Sequence, residues 1–186
     1  MKNHKLSKLL LASVISSLTM PTLGQQLEEV VVTASKRAEN LQDIPQAVTA
    51  FSSERLVELG IVETSDLMGA IPNIQVTSAY GRTQPNFSIR GISVANEFSA
   101  ATASPVGVYV DEVYQSFRAS HGQQLFDLES VEVLRGPQGT LYGRNTTGGA
   151  VNVNTIKPSL DEGTSGFLNV RLGNYSYADF TGAVEA

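Results

Sequence analysis

Between Arg135 and Ala150 the chain places glycine at 136, 139, 143, 148 and 149. So dense a run denies this stretch a long helix or an unbroken strand, because ordered glycine gives up the most backbone freedom. What it permits is tight turning at positive φ and close passage beside other backbone. A phosphate-cradling loop is excluded by spacing. Gly136, Gly139 and Gly143 do not make G-x-G-x-x-G. Gly143 and Gly148 have the separation of a Walker loop, but Gly149-Ala150 stands where Lys-Ser/Thr is required.

Around this run the sequence reads as short strands and short helices. Gln46–Phe51 alternates as a strand. Ser52 or Ser53 caps a helix through Leu59, and Gly60 stops it. Thr64-Ser65-Asp66 caps a second helix ending near Ala70, before Pro72. Asn73–Thr77 and Asn86–Ile92 are strand candidates, and 93–104 is a long loop. Val106, Val108 and Val110 alternate with Gly107, Tyr109 and Asp111, a clear strand. Val131 and Val133 flank Glu132 in another, and Ala150–Ile156 is a strand closed by Lys157-Pro158. The order suggests an α+β domain, a small mixed sheet with short helices.

The two ends differ from this middle. Lys2, Lys5 and Lys8 precede the apolar Leu9–Met20, and Pro21-Thr22-Leu23-Gly24 offers small residues. That pattern marks residues 1–24 as an export signal cleaved after Gly24. The apolar run is shorter than the roughly 20 residues a spanning helix needs. Residues 25–45 read as a flexible leader holding one β-branched patch, Val30-Val31-Val32-Thr33-Ala34. Three valines favour extended backbone, which suits either addition to a partner's sheet edge or a first strand of the chain's own sheet. At the far end Leu168, Val170 and Leu172 alternate with Asn169 and Arg171. After Gly173-Asn174, Ala178, Phe180 and Val184 alternate with Asp179, Thr181 and Glu185. This is the pattern a membrane barrel hairpin requires, although taken alone the segment favours an ordinary soluble hairpin.

Composition removes several function classes. A formal net charge of −5 over 186 residues offers no basic field for nucleic acid. With no cysteine and two histidines, His4 and His121, no metal site is expected. No catalytic constellation emerges. Asp111-Glu112 and Asp127, Glu129 and Glu132 read as solvated strand faces, and Ser88 and Ser120-His121 lack a nucleophile elbow.

Taken in order, these pieces resemble the N-terminal part of TonB-dependent outer-membrane receptors, over about 28–186. Val30–Ala34 is similar to the TonB box. Ile71-Pro72-Asn73-Ile74, Ile89-Arg90-Gly91, Pro105–Asp111 and the glycine-rich 135–153 stretch are similar to successive plug signatures. The resemblance implies a signal peptide at 1–24, a leader with its box at 25–45, a plug domain at 46–158, and the start of an antiparallel transmembrane β-barrel at 159–186. Family barrels of about 22 strands hold a plugged lumen, so the chain is expected to be a truncated portion, with the remaining barrel as a missing partner.

The implied activity is transport and not catalysis, with no cofactor. A scarce ligand such as an iron–siderophore complex, cobalamin or an oligosaccharide binds outside, and TonB pairs with the box in the periplasm. TonB contact would fall to Val30, Val31, Val32, Thr33 and Ala34. Ligand contact would fall to loops 78–86 and 93–104, with Tyr80, Arg82, Gln84 and Phe98 as candidates. Arg90 and Arg135 would meet carboxylates of the barrel. The full-length form would reside in the bacterial outer membrane, and this portion alone in the periplasm. The alternative is a stand-alone soluble periplasmic module with the same plug fold.

Overall fold

The structure, a computed structural model, describes residues 31–37, 39–99, 101–158 and 163–185. The expected signal peptide and Val30 lie outside the described residues. The chain has the expected α+β form, with a mixed sheet, three short α-helices and a separate antiparallel hairpin among the described residues.

At the centre is a five-stranded sheet in the order β3-β8-β9-β6-β7. Its strands are β3 (Val48–Ser52), β6 (Val106–Val110), β7 (Val113–Tyr114), β8 (Leu128–Arg135) and β9 (Gly149–Thr155). All neighbours are antiparallel except β6 and β9. Alternation sends successive side chains to opposite faces. Val106, Val108, Val131, Val133, Val151 and Val153 therefore share one face and fill the main core. The hairpin of β4 (Ile74–Thr77) and β5 (Asn86–Ile89) adds Phe87 and Ile89 to that core. Helix α1 (Ser53–Glu58) adds Leu56, and α2 (Leu67–Ala70) adds Leu67.

The opposite face of the sheet carries a smaller core of Tyr109, Leu134 and Ala150, closed by Tyr142, Ile44, Val32 and Ala34. Val32, Ala34 and Ile44 of the leader are thus packed against this face. β1 (Val31–Val32) pairs antiparallel with β2 (Glu39–Asn40) as a two-stranded ribbon that is not paired into the five-stranded sheet. Val32 is 1% exposed and Ala34 fully buried.

Several local expectations are corrected. The second helix, α2, starts from Asp66, the last residue of the expected cap, and a 3-10 turn over Thr64–Asp66 leads into it; Glu63 caps that turn, and the Asp66 carboxylate accepts the Glu63 N–H at 3.0 Å. β5 ends at Ile89 because Arg90 and Gly91 both have positive φ, 54° and 79°, and turn the chain back. The glycine-rich run contains a helical turn, α3 (Gly139–Tyr142), whose Tyr142 is needed to cover the second face. β7 was below the length at which alternation can be read. β10 (Ser165–Leu172) and β11 (Ala178–Glu185) form the final hairpin in continuous register from Ser165↔Glu185 to Leu172↔Ala178.

Candidate functional site

On the second face, β8 and β9 present a row of polar groups. Glu132 lies opposite Asn152, each between two core valines, and Ser130 lies opposite Asn154. Glu132 is fully buried, so its reading as a solvated strand face is overturned. The leader's Thr33 covers it. Glu132 Oε1 accepts the Thr33 N–H at 2.7 Å and the Thr33 hydroxyl at 3.1 Å. The next residue is held too, since the Tyr142 hydroxyl donates to the Ala34 carbonyl at 3.1 Å. Burial, then the charges of Glu132 and Glu112 and the Tyr109 hydroxyl, push the Tyr142 phenol well above its ordinary value, so it stays a donor.

The candidate ligand loops lie where β5 and β6 begin. Tyr80 and Phe98 come together edge to face, with ring centroids 6.4 Å apart, and the Tyr80 hydroxyl donates to the Phe98 carbonyl at 2.8 Å. Phe98 is 73% exposed. Arg82 and Gln84 do not join this pair. Arg82 reaches Glu63 at 3.2 Å, an ion pair whose arginine end lies in solvent and whose energetic weight is small. Gln84 is half-buried, its backbone carbonyl accepting the Ser78 hydroxyl at 3.1 Å.

Arg118, which sequence reasoning passed over, ties the loops together. It is buried and donates to Asn86 Oδ1 at 2.9 Å, the Glu97 carbonyl at 3.0 Å and the Ser99 carbonyl at 2.7 Å. Nothing in its polar surroundings in the sequence marks it out. His121, three residues on, is also buried. Desolvation pulls its ring below the ordinary histidine range, and the nearby Arg118 charge adds to that against the hydrogen bond that the ring Nε2–H donates to the Gln115 carbonyl.

Arg90 and Arg135 are neighbours: the Arg90 guanidinium lies against Gly136, directly after Arg135. Neither has an ion pair among the described residues. Arg90 is exposed, while Arg135 Nε is buried without an acceptor.

The hairpin has two distinct faces. Leu168, Leu172, Phe180 and Val184 stand on one, 70–81% exposed. On the other, toward the sheet domain, Arg171 pairs across the strands with Asp179 at 3.8 Å beside Asn169 and Thr181. Apolar outside and polar inside is what a barrel wall requires.

Residues 40–150 match the TonB-dependent Receptor Plug Domain family. The chain belongs to this family. The pesticin receptor of Yersinia pestis is 34% identical over 138 residues, covering 74% of this chain and 20% of that protein. The solved structure of the ferric yersiniabactin uptake receptor FyuA from Yersinia pestis matches with a TM-score of 0.58 at 33% identity, over 66% of this chain and 18% of that one. The ferripyoverdine receptor of the outer membrane of Pseudomonas aeruginosa, solved with ferripyoverdine, matches with a TM-score of 0.62. It is 21% identical over 79% of this chain and 19% of that one, a likeness of fold alone. The plug chain therefore spans about a fifth of the length of these relatives. They are receptors, not enzymes.

Proposed function

We propose that this chain is the plug and coupling region of an outer-membrane active transporter for a ferric-siderophore class of ligand, energised through TonB. The supporting observation is the form of the leader. Val31–Val32 is already extended, yet it is held in a ladder of only two residue pairs. Exchange of so short a ladder for a partner's strand loses few bonds, which favours β-strand addition as the mode of capture. Residues 30–34 are the segment TonB takes hold of. The exposed Tyr80–Phe98 pair supports an outward ligand surface, since rigid aromatic faces suit bulky chelates. Arg90 and Arg135 then meet carboxylates on the inner wall of the barrel.

The test is Val31→Pro, which cannot donate to a ladder. Binding of the TonB periplasmic domain to the chain, followed by calorimetry, should be lost, while binding of ferric yersiniabactin as a probe to a receptor carrying the same change is retained. TonB affinity equal to that of the parent would refute the coupling role. The soluble-module alternative is disfavoured by the apolar outer face of the hairpin, a liability in water.

A further inference from the structure

Residues 115–122 form a keystone between the two candidate ligand loops. Arg118 reaches one loop, donating to the carbonyls of Glu97 and Ser99, and reaches the end of the other at Asn86 Oδ1. Gly122 seats against that second loop, where a Cβ would collide with the carbonyl oxygens of Arg82 and Thr83. From a third side the Thr64 hydroxyl donates to the His121 carbonyl at 2.6 Å. The His121 ring closes the segment on itself through the Gln115 carbonyl at 3.0 Å, so Arg118 rides on a loop tied at both ends. Arg118 and His121 are 3% and 2% exposed. This knot accommodates one cation. Arg118 has no ion pair among the described residues, and the oxygens it reaches are neutral. The carboxylates on the surrounding elements are turned elsewhere, Glu63 to Arg82 at 3.2 Å and Glu97 to the Thr77 hydroxyl at 2.6 Å. A proton on His121 would set a second buried positive charge beside the first, and both desolvation and repulsion oppose it.

We propose that Arg118 and His121 position the turn bearing Phe98, and that a proton on His121 unseats it. The turn is released as a unit, because the Phe98 carbonyl that Tyr80 holds lies between the two that Arg118 holds. Opening relieves the ring of burial and of its cationic neighbour, so the open state takes the proton more readily than the closed one. Desolvation, with the Arg118 charge, lowers the pKa of the closed ring against the pull of the Gln115 carbonyl. The closed state is therefore fully favoured above about pH 6.5, and opening grows as pH falls below that, by at most about tenfold per pH unit for one proton. Acid in this way scatters the Tyr80–Phe98 pair and weakens the hold on a bulky chelate. That consequence rests on the ligand surface proposed above and adds its regulation.

Hydrogen–deuterium exchange of the chain, corrected for intrinsic rates, reads local opening at pH 7.5 and 5.5. Amides of 97–99 and 115–122 should open several-fold more often at pH 5.5, up to about tenfold, while those of β8 and β9 remain far better protected. His121→Gln should flatten the pH step at both sites. If His121→Gln does not fold, nitrogen-15 shifts of the imidazole in a His4→Gln background decide, since His121 is then the one histidine. Ring protonation must run parallel to loop opening. Loop exchange independent of pH overturns the switch, as does a step retained in His121→Gln or a ring that stays neutral while the loops open. Loops and central strands opening together would also overturn it, making these residues ordinary supports of the fold. Affinity for ferric yersiniabactin left unchanged in a receptor carrying Phe98→Ala, beside a pH step lost in His121→Gln, would sink the ligand reading and spare the switch. Affinity lost in Phe98→Ala beside pH-independent loops would do the opposite.

Discussion

Gly149→Ala is the substitution the structure condemns most clearly. Gly149 opens β9 at φ 152°, and a Cβ built there would stand 2.2 Å from the Leu134 carbonyl oxygen and 2.9 Å from Ile89 Cδ1. Ordinary carbon–oxygen contacts begin near about 3.3 Å, so the β8–β9 pair must move apart by a large fraction of the difference. That displacement falls at the register Arg135↔Gly149, next to Leu134↔Ala150, where both central strands are buried. Overpacking of this kind costs about 1–3 kcal/mol and the unfavourable φ about as much again. Equilibrium unfolding in urea should lower the midpoint by about 2 M, given a slope of about 2 kcal/mol per molar. Gly139→Ala is the matched control. Nothing lies within 4 Å of a Cβ there and its φ is not positive, so it should be neutral or slightly stabilising in α3. A Gly149→Ala midpoint within about 0.3 M of the parent would refute the close-approach argument.

Two further outcomes follow from buried groups. The lowered His121 pKa means folding favours the neutral ring, so its contribution is full above about pH 6.5 and declines as pH falls toward the depressed folded value. Unfolding midpoints should therefore drop more between pH 7.5 and 5.5 in the parent than in His121→Gln, and parallel profiles would contradict the burial argument. Arg118→Met leaves Asn86 Oδ1 and the carbonyls of Glu97 and Ser99 without their donor. It should cost about 3 kcal/mol and speed amide exchange around 97–99. Unchanged exchange there would show that the loop is positioned by other contacts.

What was legible in the sequence was whatever depends on near neighbours. The valine alternation of β6, the Ser52 cap with its hydroxyl accepting the Arg55 N–H, and the two-faced final hairpin are all local patterns. The docked leader could not be read because the group that holds Thr33 lies 99 residues away on β8. A partial signal existed: Val131-Glu132-Val133 and Val151-Asn152-Val153-Asn154 both alternate, so pairing them puts Glu132 and the asparagines on one face. A face that is polar on two adjacent central strands needs a polar cover. Helix α3 stayed hidden because Gly139 and Gly143 mark turns at both ends of its four residues. Arg118 and His121 carry no periodic context, and only the folded loops give them their acceptors. Of the ligand candidates, the contact between Tyr80 and Phe98 spans 18 residues and needed the three-dimensional arrangement.

The face that the final hairpin turns inward has a mechanical consequence. Between it and the sheet domain lie hollows of about 510 and 330 Å³, bordered by Asp127, Gln124, Arg171, Asp179 and Thr181 as well as apolar groups. Phe126 also lies against Phe167 there, with ring centroids 6.3 Å apart. If one surface slid past the other, the polar groups left behind could be rehydrated from space already present.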